Sequence, residues 1–174
     1  MTYPNFASGD VLNDSDMKAV GLWVVKTYAV GTGVSSVTVP NAFTSDYDSY
    51  KIIWTGGTAS TSVDLYLTLG ASSFYNWSAV YSAFNAIPSA AGTSTGTYFN
   101  YCGGATTTWG GANFELHRPF ATAATFYNAQ HVNFAAGINT VGFLNNSTSY
   151  SSFTVTPSAG TISGGTIRVY GYQK

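Results

Sequence analysis

The sequence predicts an all-β protein: an antiparallel β-sandwich, jelly-roll-like, carrying a short N-terminal arm and helix. Three observations predict it. From Gly21 onward, short runs rich in β-branched and aromatic residues alternate in period two and are broken by Gly, Pro and Asn. No long stretch repeats at the 3.6-residue spacing of an amphipathic helix. The composition is also that of a β-protein, with 13 Tyr, 11 Phe and 19 Gly, while only 7% of residues are charged and 45% are hydrophobic. At 174 residues the chain fits one core, large enough to bury roughly 70% of the surface its unfolded form exposes.

Residues 1–20 read as a separate attachment segment and residues 21–174 as the β-sandwich domain. The opening stretch has no periodicity and contains Pro4, so it reads as an extended arm. Asn13 is a good N-cap residue, and Asp14 and Asp16 fall in the first turn, where the helix dipole favours acids, which predicts a short helix to residue 20. Tyr3, Phe6, Val11, Leu12 and Met17 would anchor this arm on a neighbouring surface.

Strands are predicted at 22–30, 34–39, 50–55, 63–69, 77–84, 98–102, 113–118, 125–134, 140–144, 153–156 and 166–172. The turn signals include Gly31-Thr-Gly33, Pro40-Asn41 and Gly56-Gly57, each read as ending a strand. The cleanest alternation is Val63, Leu65, Leu67 and Leu69 on one face against Asp64, Tyr66 and Thr68 on the other. Residues 88–96, small and polar with no apolar anchor, read as the longest exposed loop. The final strand alternates behind Gly164-Gly165 and predicts a C-terminus tied into the sheet, leaving the N-terminus as the free end.

Charge excludes several function classes. The formal net charge is −1 and the six Lys and Arg are scattered, so the clustered cations that bind nucleic acid are missing. The longest apolar run, 20–25, is far short of the roughly 20 residues that cross a bilayer, and no export signal opens the chain; no membrane partner is predicted. Cys102 is the only cysteine, so no intrachain disulfide can form, and it reads as a buried, inert thiol.

Catalytic parts are sparse. His117 and His131 are the only imidazole bases, both in strand-like text, and no Gly-x-Ser-x-Gly elbow occurs. Glu115 and His117 share one face of a strand, but two ligands do not make a transition-metal site. Asp46 and Asp48 read as a turn before a strand rather than as a calcium loop. A sugar hydrolase needs two opposed carboxyls, and beyond residue 21 only Asp46, Asp48, Asp64 and Glu115 are available. The expectation is a protein that is not an enzyme and has no cofactor. Tyr75, Trp77 and Tyr81 fall on one strand face, where they are either core or, if exposed, a contact for glycan or protein.

Several ordered blocks carry a family likeness: Phe6-Ala-Ser-Gly-Asp-Val-Leu-Asn-Asp-Ser-Asp-Met17, Gly33-Val-Ser-Ser-Val-Thr-Val39, Phe43-Thr-Ser-Asp-Tyr-Asp-Ser-Tyr-Lys-Ile-Ile53, Leu65-Tyr-Leu-Thr-Leu-Gly70 and Gly164-Gly-Thr-Ile-Arg-Val-Tyr-Gly-Tyr172. Together they resemble a structural β-domain of tailed-bacteriophage virions, of the tail-fibre, minor structural or capsid-decoration type. The resemblance implies a non-enzymatic, trimer-forming virion protein on the outer surface of the particle, assembled in the host cytoplasm. Its implied partners are copies of itself in a homotrimer, the major capsid protein or another virion protein, and host surface glycan. No catalytic residue comes with it. Only about twenty residues precede the predicted sandwich, with no coiled-coil or β-helical shaft. That favours a capsid cement or decoration protein; the alternative is a tail-fibre head or receptor-binding module that touches glycan.

Overall fold

Thirteen antiparallel strands occupy the described residues of a computed structural model, which are 21–71, 73–172 and 174. In chain order they are β1 Leu22–Ala29, β2 Val37–Val39, β3 Ser49–Ala59, β4 Val63–Thr68, β5 Tyr75–Ala83, β6 Ser89–Gly96, β7 Phe99–Ala105, β8 Gly110–His117, β9 Thr125–Val132, β10 Ala136–Leu144, β11 Phe153–Pro157, β12 Ile162–Ser163 and β13 Thr166–Tyr172. No helix occurs among the described residues. The arm and helix expected over 1–20, with Tyr3, Phe6, Val11, Leu12 and Met17, lie outside them.

Hydrogen bonding branches at two strands: β3 pairs with β13 and, farther along, with β12, and the two layers are joined through β8. Its far edge pairs with β3, while its near edge pairs first with β7 at Gly110–Ala112 and then with β9 at Phe114–His117. The broad layer therefore runs β1-β13-β3-β8-β9-β10-β5-β6, and β7 leads away into β4, β11 and β2. Aromatic rings fill the space between the two. Phe153 of β11 stands edge-on to Phe114 of β8 at 5.9 Å, and Phe99 of β7 stacks on Tyr127 of β9 at 4.5 Å. The fold is thus all-β and sandwich-like, as expected.

Period-two patterning explains which side of each strand enters the core. Val63, Leu65, Leu67 and Leu69 are buried from the smaller layer, and Tyr50, Ile52, Trp54, Phe114, Leu116, Ile167 and Val169 from the larger one. Cys102 lies fully buried, and burial pushes its thiol far up, as suits an inert side chain. β13 sits between β1 and β3, so the alternation read at 166–172 is that of an interior strand.

Two expectations are corrected. Gly56-Gly57 does not end a strand: β3 continues to Ala59 through a register shift between Trp54 and Gly57, where the positive φ of Gly56 (76°) lets the chain kink and reach β12. Of the stretch 88–96, Pro88 precedes the strand, but residues 89–96 are not a loop. They form β6, an edge strand paired with β5, and they read as loop because their side chains are small; a Cβ on Gly92 would lie 2.8 Å from the Trp77 carbonyl oxygen.

Candidate functional site

The outward side chains of the broad layer fall into register across six strands. One row runs Tyr170, Lys51, Glu115, Asn128, Val141 and Ser78, fixed by the pairings of β13, β3, β8, β9, β10 and β5. Its centre is Glu115. Tyr172 donates its hydroxyl to Glu115 Oε1, Lys51 Nζ lies 3.5 Å from the same oxygen, and Asn128 Nδ2 donates to Oε2 at 3.5 Å. The network continues from Asn128 to His117 Nε2 at 3.3 Å, and His117 Nδ1 meets Ser49 Oγ at 2.9 Å.

Partial burial works to raise the Glu115 carboxyl, but the hydrogen bonds from Tyr172 and Asn128 and the Lys51 charge outweigh it and hold the group below the ordinary carboxylate range. Glu115 is therefore ionised at neutral pH. Burial, reinforced by the hydrogen bond and charge of Glu115, pushes the Tyr172 phenol up to about 12, so it remains a donor.

A shallow trough opens along this network. One end, of about 290 Å³, is lined by Lys51, Asn113, Glu115, Asn128, Gln130, Asn139 and Val141. It meets at Asn113 and Gln130 a second depression of about 400 Å³ bounded by Ile53, Trp109, Val132 and the bare backbone of Gly110-Gly111. Asn113 Nδ2 donates to the Gln130 carbonyl at 3.3 Å, holding the wall between β8 and β9. The glycines give the trough depth, and a Cβ on Gly111 would sit 3.1 Å from the Trp54 carbonyl.

Beyond the trough the surface turns apolar. Among the described residues, large exposed hydrophobic side chains concentrate on β5, β9, β10 and the adjoining turns. Phe126, Phe143, Val141 and Val80 form an oblique stripe on the outer face, with Phe126 and Phe143 ring centres 6.4 Å apart. Phe84, Ile87 and Phe134 crown the wing tip, and Ile87 is 88% exposed.

The aromatic trio expected to share a strand face does share one, but that face points inward. Tyr75 is 0% exposed, with its hydroxyl accepting the Leu69 N–H at 2.9 Å. Trp77 and Tyr81 are half-buried around Tyr101, with ring centres 5.8 Å and 6.4 Å from it. Their aromatic bulk fills the wing of the sandwich, so Tyr75 has no surface to offer a ligand. A bulge in β7 places Tyr101 there, with a positive φ of 59° and its N–H on Asn100 Oδ1.

The structure also places the other sequence-derived candidates. Glu115 and His117 do share the outer face, yet both His117 ring nitrogens already have partners. Asp46 closes a turn on Thr44 Oγ1 at 3.1 Å, and Asp48 pairs with Lys174 at 3.1 Å on the open surface. Among the described residues no three His, Cys, Asp or Glu side chains gather as a metal cluster, and no second carboxylate lines the trough. No helix there is long and apolar enough to cross a membrane. Sequence reasoning missed Tyr172, Lys51, Asn128, Gln130 and Trp109 as site residues. The outward parity of β13 and β8 was the available signal for Tyr172.

Protein-family models, curated proteins and solved structures, each compared with this chain, yield no match.

Proposed function

We propose that this chain is a non-enzymatic structural protein of a tailed-phage virion, displayed on the particle exterior as a homotrimer. Within that reading it is a capsid cement or decoration protein with a jelly-roll-like head, seated on the major capsid protein or another virion protein. The observation that carries it is the apolar wing. Exposed Phe126, Phe143, Val141 and Val80, with Phe84, Ile87 and Phe134 at the tip, make a surface more hydrophobic than an isolated soluble domain usually presents. A chain with 7% charged residues has little electrostatic repulsion to keep copies apart.

Copies meeting through the wing around a symmetry axis bury these side chains and leave the β3–β8 half of the face outward. Light scattering on the purified protein tests this: a trimer is expected, and Val141→Lys combined with Phe143→Glu converts it to a folded monomer. A wild-type protein that stays monomeric at high concentration overturns the trimer. The arm over 1–20 is the proposed grip on the lattice, and its deletion leaves a folded head that no longer joins particles.

A further inference from the structure

We propose that the outward trough between Glu115 and Trp109 is a binding site for an uncharged oligosaccharide. The proposal goes beyond the virion reading and does not depend on it, since it rests on the trough alone. Planar amides of Asn113 and Gln130 offer donor and acceptor together, which matches hydroxyl groups that are themselves both, while Asn128, its N–H groups turned to Glu115 and His117, adds a carbonyl acceptor. Glu115 adds an acceptor that Tyr172 and Asn128 hold in place. At the other end Trp109 is exposed beside the Gly110-Gly111 floor, where an indole face can lie against the apolar face of a sugar ring.

Charge selects the ligand class. The trough's one anion and one cation, Glu115 and Lys51, are paired with each other, so no unpaired charge lines it to favour an acidic sugar. Length points the same way as chemistry: Gly110 to Glu115 is five strand steps, about 17 Å at 3.3 Å each, which suits an extended chain rather than a lone ring. One carboxylate without an opposed second one suits binding without cleavage.

The test is NMR titration of the full-length protein with cellohexaose, maltohexaose, chitohexaose, mannohexaose and xylohexaose, each to roughly 10 mM, enough to reveal a millimolar site. At least one of them is expected to shift the Trp109 indole and the side-chain amides of Asn113, Asn128 and Gln130. Trp109→Ala and Gln130→Ala, both on exposed side chains, are each expected to weaken that binding at least tenfold with unchanged thermal melting. Three results overturn the proposal: no shift with any of the five, shifts confined to the wing tip, or binding seen only for an anionic oligogalacturonate run in parallel.

Discussion

His131 illustrates how one side chain sets a pH dependence. It faces inward from β9 with neither ring nitrogen hydrogen-bonded to protein, and burial pushes its pKa from 6.5 down to about 4. Between those two values the unfolded chain binds a proton that the folded one refuses, so stability falls as pH drops through that window, by on the order of 3 kcal/mol in total. Replacing His131 with Leu is expected to remove that slope from urea unfolding measured across the window; a slope equal to wild type refutes the assignment. Gly57 is a steric counterpart, because a Cβ there would run into the Trp54 ring. Gly57→Ala is expected to cost about 1–3 kcal/mol through forced repacking, read from the same unfolding curves.

Strands differ in how firmly they are held, and that difference also governs what the sequence could reveal. β3 and β8 are paired on both edges and bury Tyr50, Ile52, Trp54, Phe114 and Leu116. β6 is paired only with β5 and has no fully buried side chain. Amide exchange should therefore be fastest in β6 and the adjoining 84–88 turn, and slowest in β3, β8 and β13; uniform protection across all four would contradict the layering. The same contrast made β4 and β13 readable from alternation and hid β6, whose Ser, Ala, Gly and Thr carry no period-two signal. Asn133 was equally hidden. Its Oδ1 accepts the N–H groups of Ala135 and Ala136, at 2.8 Å and 2.7 Å, while Nδ2 reaches Asp64 at 2.9 Å, so it clips the β9–β10 turn to the other layer. That role depends on a contact 69 positions away, which local pattern cannot supply.

For the chain in its entirety, hydrophobic alternation dictated the two-layer arrangement, while the site emerged only from register. Glu115 was visible as an isolated acid, but its partners Tyr172, Lys51 and Asn128 come from three other strands. The inward turn of Tyr75 and Trp77 followed from the same register, which spends the wing's aromatics on packing and leaves the stripe at Phe126, Phe143 and Val141 outside. Together these place an apolar, weakly charged surface beside a polar trough, an arrangement suited to a protein that lives among copies of itself. Quantitative mass spectrometry of purified phage particles, giving copies of this chain per virion, decides the matter. A cement protein is expected at on the order of hundreds of copies, in a multiple of three. A few dozen copies or fewer would place the chain on a fibre instead, and its absence from the particle would contradict a virion role altogether.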